Sequence, residues 1–171
     1  DGLAAPEVAV EVHLAGGLPN VTLVGLPDTE VKEARDRVRA ALQNSGFEFP
    51  RKRITVNLAP ADLPKESGRF DLPIALGILA ASGQIPGTAL AGHEFAGELS
   101  LSGELRPIRG ALAMVLAAGG KGRSFVLPAS SAREAALASK VQVLEAGTLL
   151  EVCAHLTGQC RLTECQAADG L

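Results

Sequence analysis

One segment constrains the fold more than any other, because between Asp71 and Ala81 almost every side chain is apolar. A helix with apolar residues on all of its sides has to be buried on most of them. We therefore predict a buried helix over Asp71–Ala81, with Asp71 as its N-cap and Pro73 in the first turn, where proline is tolerated. The chain has 171 residues, which is enough for one domain with a core and too few for two.

Strands are predicted in several short segments, most of which alternate between apolar and polar residues, as half-buried strands do. The predicted strands are Val8–Leu14, Val21–Val24, Arg53–Leu58, Phe95–Leu101, Glu104–Ile108, Ser124–Leu127 and Val141–Leu144. Gly16–Asn20 supplies turn residues between the first two strands, and Ser102-Gly103 is a two-residue turn signal between the fourth and the fifth. Both patterns predict β-hairpins.

Further helices are predicted where apolar residues recur at helical spacing. The longest begins at Pro27-Asp28-Thr29-Glu30, where Asp or Thr is the expected cap, and ends before Ser45-Gly46. The others span Gly110–Ala118, Ala132–Ser139 and Thr148–Leu156. Together with the strands they predict a two-layer α/β domain with a mixed sheet over residues 1–158, followed by a linker over residues 159–171.

The composition excludes several classes of protein. The net charge is −3, so the domain as a whole does not attract polyanions, and nucleic-acid contact would need a local patch. Aromatic residues make up only 3% of the chain, with no Trp or Tyr, so a base-stacking surface for single strands is not expected. No apolar run reaches the roughly 18 residues of a membrane helix. Asp1-Gly2-Leu3 does not begin a signal peptide, and we expect a cytoplasmic protein without membrane contact.

The sequence predicts neither a nucleotide site nor a metal site. The nearest match to a phosphate-binding loop is Gly119–Gly122, which lacks the required spacing and the Ser or Thr that reaches Mg²⁺. A helix cap and turn explains that stretch better. Cys153, His155, Cys160 and Cys165 could offer zinc ligands, but they contain no C-x-x-C pair, and Cys153 falls in the apolar register of the last helix. We expect a core cysteine and a loose tail, with no metal and no cofactor in this chain.

A possible anion site lies within Lys65–Asp71, at the mouth of the predicted buried helix. A glycine-containing loop that leads into a helix presents free backbone amides and the positive end of the helix dipole. Lys65 and Arg69 would supply positive charge beside Gly68. The alternative is a capping loop with solvated charges, and the residues by themselves favour that alternative.

Positive charge is concentrated between Arg35 and Arg53, where there are six basic residues and two acids, Asp36 and Glu48. A basic helix face followed by a basic loop suits the phosphates of DNA, whereas the alternative is a solvated charged face. The candidate DNA-contacting residues are Arg35, Arg39, Arg51, Lys52 and Arg53, with Lys65 and Arg69 next.

A specific family resemblance is carried by the block Asn44–Ser82, NSGFEFPRKRITVNLAPADLPKESGRFDLPIALGILAAS. This block resembles the N-terminal domain of the ComM/YifB family, which is often labelled magnesium-chelatase subunit I-like. Gly16–Leu26 and Gly97–Gly110 fit the same pattern, so the resemblance covers roughly residues 7–158. It implies the ribosomal protein S5 domain 2-like fold, which the Lon proteolytic domain and the C-terminal domain of RadA share. It also implies that an AAA+ ATPase module, which would bind ATP and Mg²⁺, follows this domain and forms a hexameric ring. In ComM that ring drives branch migration of DNA during natural transformation.

The resemblance to Lon allows peptidase chemistry to be tested on named residues. Lon-type peptidases use a Ser nucleophile at the mouth of the buried helix and a Lys base at the start of the helix after the hairpin. The resemblance places Asp71 at the Ser position and Leu112, or a neighbouring residue, at the Lys position. Neither side chain can perform that role. Ser67 is nearby, with Lys65 close in sequence, but no Lys follows at the required place. The domain is therefore expected not to be an enzyme.

The residues and the resemblance together predict a non-catalytic accessory domain of an AAA+ protein that acts on DNA. Its expected partners are its own C-terminal AAA+ module, which would begin where this chain ends, the other copies in the ring and, through the basic cluster, DNA. Two other functions stay open. One is a scaffold that only assembles the ring, and the other is a residual Lon-like Ser/Lys peptidase that would depend on Ser67.

Overall fold

The computed structural model describes residues 9–59, 68–118, 122–138 and 141–166. The strands within these ranges are β1 (Ala9–Ala15), β2 (Asn20–Val24), β3 (Arg53–Ala59), β4 (His93–Phe95), β5 (Glu98–Leu99), β6 (Leu105–Arg106), β7 (Ser124–Pro128), β8 (Val143–Ala146) and β9 (Thr163–Glu164). The α-helices are α1 (Asp28–Asn44), α2 (Asp71–Ala81), α3 (Ala111–Ala118), α4 (Ala129–Ala135) and α5 (Leu149–Leu156), and a 3-10 helix spans Gly87–Leu90.

β3 lies in the middle of a three-stranded sheet, between β1 and β2. It pairs antiparallel with β1, with Ala9 opposite Ala59 and Ala15 opposite Arg53. It pairs parallel with β2, with Asn20 opposite Arg53. The predicted hairpin of β1 with β2 is therefore wrong. α1 carries the chain back along the sheet, as a parallel pair requires, and β3 then takes the place between the two earlier strands.

α1 has close to the predicted bounds and the predicted apolar side. Its buried residues are Ala34, Val38, Ala41 and Leu42. They share one side because residues three and four apart lie on the same face of a helix. The predicted side-chain cap is wrong, since the N-cap position is Pro27 and no side-chain hydrogen bond caps this end. Asp28 and Glu30 nevertheless place negative charge in the first turn, where the helix dipole favours it.

α2 spans the predicted Asp71–Ala81 and is buried on most sides, as its composition requires. Its buried residues are Asp71, Leu72, Ile74, Ala75, Leu76, Ile78 and Leu79. The helix packs so closely on β1 that a Cβ atom on Gly77 would lie 2.6 Å from Cγ2 of Val12, well inside the normal separation of two carbons. The prediction that Asp71 caps this helix is wrong, because Phe70 is the N-cap and no side chain caps this end.

β5 and β6 form a hairpin whose loop is one residue longer than predicted. The N–H of Ser100 donates to the carbonyl of Glu104 at 2.9 Å, which leaves Leu101–Gly103 as the loop. Gly103 has a φ of 93°, a conformation that favours glycine and that three-residue hairpin loops use. The predicted two-residue turn is wrong because Leu101, an apolar residue that suits a strand, lies exposed in the loop.

The second large sheet has the order β4-β7-β8-β9, in which β4, β7 and β8 are parallel and β9 is antiparallel to β8. Glu145 of β8 pairs with Thr163 of β9. This pairing corrects the prediction that the chain beyond Gly158 is only a linker. The short polar strand has no alternation from which it could be predicted. α4 also begins earlier than the predicted Ala132, directly after β7.

Two hydrophobic clusters hold the layers together. The larger contains residues of the first sheet, α1, α2 and α5, together with Val126 and Leu144 of the second sheet. The smaller contains Phe125, Leu127 and Val143 with residues of α3 and α4. Because neighbouring residues of a strand point to opposite faces, the second sheet is covered on both faces.

The α/β class is confirmed, but the strands of the described residues are divided among three sheets. The single mixed sheet that the sequence predicts is therefore wrong. No helix in the described ranges is long and apolar enough to cross a bilayer.

Candidate functional site

Three cations lie side by side where β3 begins. Arg51 and Lys52 form the bend before the strand and Arg53 is its first residue, and all three are exposed. Arg53 points outward because alternate residues of the strand, starting with Ile54, point into the core. None of the three makes an ion pair or a hydrogen bond within the described residues. We call Arg51, Lys52 and Arg53 the basic end.

The ring of Phe49 connects two arginines of α1 to the basic end. The guanidinium carbon of Arg39 lies 4.6 Å from the centre of the Phe49 ring, a cation–π contact. Phe49 also lines a small apolar crevice together with Arg35 and Val21. Since Phe49 directly precedes the segment that leads to Arg51, its ring bridges the helix and the basic end. The structure thus brings the predicted DNA residues of α1 and of the loop to one side of the molecule.

Asp36 offsets part of the charge on α1. Its carboxylate accepts a hydrogen bond from Lys32 at 2.9 Å. That bond, with the positive charges of Lys32, Arg35 and Arg39, lowers the pKa of Asp36. The carboxylate therefore stays ionised next to the α1 arginines. The basic end has no ion-paired carboxylate within the described residues and keeps the more concentrated positive charge.

The structure does not bring Arg69 to this cluster. Phe70 lines an open cavity of about 580 Å³ together with Ala9 and Ala59, so the segment around Arg69 lies at the end of β3 opposite Arg53. A seven-residue strand separates these ends, a distance of roughly 20 Å. The Arg69 guanidinium donates a hydrogen bond to the carbonyl of Arg109. Lys65, the other predicted residue at this mouth, lies outside the described residues.

The possible anion site at the mouth of α2, which the sequence alone does not favour, lacks free helix amides in the described part of the loop. The N–H of Asp71 donates to Gly68 and that of Leu72 donates to Gly97, each at 3.0 Å, and Pro73 has no N–H. The first amides of α2 are therefore not free to bind an anion. A capping loop, the alternative that the sequence favours, agrees with these bonds.

Asp71 forms a buried ion pair instead. Its carboxylate accepts hydrogen bonds from Nε of Arg37 at 2.6 Å, from Nη2 of Arg37 at 3.1 Å and from the N–H of Leu99 at 3.0 Å. Asp71 is only 1% exposed. Burial raises the pKa of Asp71, and the bonds from Arg37 and Leu99 oppose that rise. The hydrogen bond to Asp71 in turn raises the pKa of Arg37. Glu98, 3.9 Å from Nε of Arg37, adds a second negative charge.

Both residues that the resemblance sets at the positions of a Lon-like dyad have structural contacts. Asp71 holds α1 and the β5 strand to the start of α2. Leu112 packs against the smaller hydrophobic cluster, and its N–H donates to the Glu134 carboxylate at 3.3 Å. An ion-paired carboxylate and an aliphatic side chain are not the Ser nucleophile and Lys base of a Lon-type dyad.

Comparison with known proteins identifies the family. A model of the family described as subunit ChlI of Mg-chelatase matches residues 10–131. The chain belongs to the ChlI family. The resemblance to the ComM/YifB proteins, predicted from the Asn44–Ser82 block, is also confirmed.

Relatives of this ChlI-family chain are longer than the chain itself. Competence protein ComM of Haemophilus influenzae is 54% identical over 161 residues, which are 94% of this chain and 32% of the relative. The uncharacterised protein YifB of Salmonella typhimurium is 51% identical over 168 residues, which are 98% of this chain and 33% of the relative. An uncharacterised protein of Mycobacterium bovis is 42% identical over 158 residues. The chain therefore spans about a third of the length of these relatives, and it matches the N-terminal third of ComM and YifB.

The cysteines of the ChlI-family chain do not form a metal centre with their neighbours in the described residues. Cys153 is buried, as its place in the apolar register predicts, and desolvation raises its pKa to about 11. Cys160 is exposed, whereas Cys165 is half-buried. Nδ1 of His155 accepts a hydrogen bond from the N–H of Leu162 at 3.1 Å. No group of three His, Cys, Asp or Glu side chains within the described ranges could hold a metal ion. Of the predicted cap and turn Gly119–Gly122, only Gly122 lies in the described part.

Sequence reasoning missed Arg37 and Phe49. Arg37 appears in the sequence as one of several basic residues, yet it is two positions from both Arg35 and Arg39 and therefore lies on another side of α1. That spacing could have separated it from the solvated arginines. Phe49 gave no signal, because its contact with Arg39 depends on the path of the chain after α1.

Proposed function

We propose that this chain is the non-catalytic N-terminal domain of a longer AAA+ protein that acts on DNA in the cytoplasm, and that it binds DNA phosphates through the basic end. Two findings support the longer protein and its role. The matched relatives are about three times as long as the matched segment, and one of them is named a competence protein. The AAA+ module and its ring belong to the same proposal.

The proposed DNA contact rests on the arrangement and exposure of Arg51, Lys52 and Arg53. They are adjacent, exposed and without an ion pair in the described residues. Each can therefore approach a phosphate and release counterions without first breaking an ion pair to another described residue. The remaining surface carries enough acid to give a net charge of −3, so binding would be confined to this side.

The proposal also includes the ribosomal protein S5 domain 2-like fold and the absence of peptidase activity. The parallel β2–α1–β3 unit and the mixed α/β architecture support the fold. The ion pair of Asp71 and the apolar environment of Leu112 support the loss of the dyad. An assay of casein turnover by the wild type and by the Ser67→Ala variant tests this part. We expect no turnover by either protein, and turnover that Ser67→Ala removes would contradict it.

Fluorescence anisotropy with labelled single-stranded, duplex and forked DNA tests the DNA contact. We expect binding at low salt that weakens as salt rises, with a slope of log K against log salt of about one per phosphate neutralised. The triple variant Arg51→Glu/Lys52→Glu/Arg53→Glu should lose this binding, because it replaces three unpaired cations with anions.

A second triple variant controls for net charge. Arg106, Arg133 and Arg161 are exposed cations on other elements, and their replacement by Glu changes the total charge by the same amount. We expect this control variant to retain most of the affinity. Equal losses in the two variants would show that only net charge matters. Failure of the wild type to bind any of the three DNAs at low salt would overturn the proposed contact.

A further inference from the structure

α3 is an unusual helix for the surface of a protein. None of its residues, Ala111–Ala118, has a charged or polar side chain. Ala111 and Val115 are fully buried in the smaller hydrophobic cluster, but Ala113 is exposed and Leu116 is 62% exposed. A helix at the surface normally has a polar outer side, and one that is apolar all round belongs in an interior. The exposed side of α3 is therefore suited to be buried against another protein surface.

The turn that follows α4 extends the same surface. α3 leads into β7, and α4 leads from β7 into the parallel strand β8, so both helices run opposite to β7 and parallel to each other. They are joined where the N–H of Leu112 bonds to Glu134. Leu116 lies one turn beyond Leu112, and Leu137, also 62% exposed, lies nearly one turn beyond Glu134. We call Ala113, Leu116 and Leu137 the α3–α4 apolar surface.

The last described residues of the chain lie on the same side of the second sheet. β9 pairs with β8, and Cys165 after it packs against the hydrophobic cluster to which Leu112 and Met114 also pack. Burial and Glu145 of β8 raise the pKa of the Cys165 thiol, and the positive charge of the nearby Arg133 of α4 opposes that rise. The described part of the chain therefore ends beside α4. In the matched relatives, about two thirds of the protein lies beyond the region that this chain matches.

We propose that the α3–α4 apolar surface is the docking site of the C-terminal part of the full-length protein, packed against its own N-terminal domain. This inference rests on the proposed function only in taking the chain to be the first part of a longer protein. It does not depend on DNA binding. Exposed apolar residues on two neighbouring segments, close to the end of the described chain, distinguish this surface from single exposed leucines, which are common on soluble proteins.

Hydroxyl-radical footprinting with mass spectrometry measures the exposure of native leucines and tests the docking directly. The full-length protein is compared with the 171-residue chain, after cooperative thermal unfolding has shown that the chain is folded. We expect Leu116 and Leu137 to be modified several-fold more slowly in the full-length protein. Leu18, which is 86% exposed in the β1–β2 connection, is the control and should be modified equally in both.

Substitution provides a second measurement. Leu116→Glu/Leu137→Glu in the full-length protein should undock the two parts, and cleavage by trypsin after Arg161 should become several-fold faster. Leu18→Glu should leave that cleavage rate unchanged. Both variants should leave the thermal stability of the 171-residue chain close to that of the wild type, because these leucines are exposed in it.

Two results would overturn the proposal. One is equal modification of Leu116 and Leu137 in the long and short proteins. The other is protection that disappears when the full-length protein is diluted until sedimentation shows a monomer, since the surface would then be covered by a second copy. Failure of the anisotropy experiment would remove the DNA contact and leave both measurements valid, so the two failures are distinguishable.

Discussion

Asp71 shows how a single buried charge is kept in a largely apolar region. Taking a carboxylate out of water costs several kcal/mol unless other groups replace the lost hydrogen bonds. Here two nitrogens of Arg37 and the N–H of Leu99 replace them. The same bonds connect α1, the start of α2 and the β5 strand. The residue thus contributes to the order of three elements at a position where the Lon-like resemblance implies a nucleophile.

Removal of Arg37 should show how much stability is lost when Asp71 is buried without its ion-pair partner. We expect Arg37→Met to lower the free energy of unfolding by about 3 kcal/mol at neutral pH, because it leaves Asp71 buried without its partner. The double variant Arg37→Met/Asp71→Leu should recover much of that loss. Urea unfolding followed by circular dichroism measures both, since the chain lacks Trp and Tyr.

Arg39→Met is the matched control, two residues away on the exposed side of α1. It removes the cation–π contact with Phe49 and should cost no more than about 1 kcal/mol. Similar losses for Arg37→Met and Arg39→Met would contradict a special role for the buried pair.

The candidate site was predictable from the sequence only in part. The sequence shows a run of cations before an alternating strand, and in the structure Arg53 is the exposed first residue of β3. Arg69 could not be separated from it by sequence, because Arg69 and Arg53 are 16 positions apart along the chain but lie at opposite ends of β3. The ion pair of Asp71 could not be predicted from the sequence either, because its partner Arg37 lies 34 positions earlier in the chain.

At the scale of elements, the long helices were predictable and strand partners were not. The helical period of α1 and the continuous apolar composition of α2 were enough to predict both helices, and their bounds agree closely with the structure. β1 pairs with β3, which follows α1 in the chain, and no local turn signal predicts that pairing. The two residues of β9 are likewise too few to show a period.

The contact between α5 and the segment leading to β9 should be sensitive to acid. Nδ1 of His155 accepts a hydrogen bond from Leu162 and therefore carries no proton in this contact. Burial, His93 and Arg161 lower the pKa of His155 below its ordinary value of 6.5. The unfolded chain then binds a proton that the folded chain does not, so His155 destabilises the fold as pH falls below about 6.5.

Thermal unfolding measured from pH 7.5 to pH 5.0 tests whether His155 lowers the stability of the fold as the pH falls. The wild type should lose more stability over that range than His155→Gln, whose side chain does not titrate and can still accept a hydrogen bond. Parallel curves for the two proteins would contradict the assignment. His93, whose ring lies 5.5 Å from that of His155, is present in both proteins and is therefore not the residue that differs between the two curves.

At the scale of the whole molecule, the second sheet couples the two hydrophobic clusters. Val126 contributes to the larger cluster, while its neighbours Phe125 and Leu127 contribute to the smaller. A loss of packing on one side therefore disturbs the same strand on the other. We expect a single unfolding transition in calorimetry, with equal calorimetric and van't Hoff enthalpies.

Phe125→Ala should move that single transition without splitting it. Phe125 is 2% exposed, and truncation of such a residue costs about 3 to 5 kcal/mol, or roughly 10 °C in Tm for a domain of this size. Amides of α1, which lies in the other cluster, should lose hydrogen-exchange protection by the same free energy. Leu116→Ala, at an exposed leucine, is the control and should change stability little. Two separate transitions for Phe125→Ala would show that the clusters unfold independently.

The central place of β3 also affects how the chain is made. β1 and β2 leave the ribosome first, but each finds its partner only after Ala59 has been added. The 35 residues from Gly25 to Ala59 take about 2 to 7 s to synthesise at typical rates. During those seconds both early strands carry unpaired backbone edges. A nascent chain of this family therefore needs protection from premature strand pairing before β3 is made, and binding of a chaperone to residues 9–24 should end when β3 emerges.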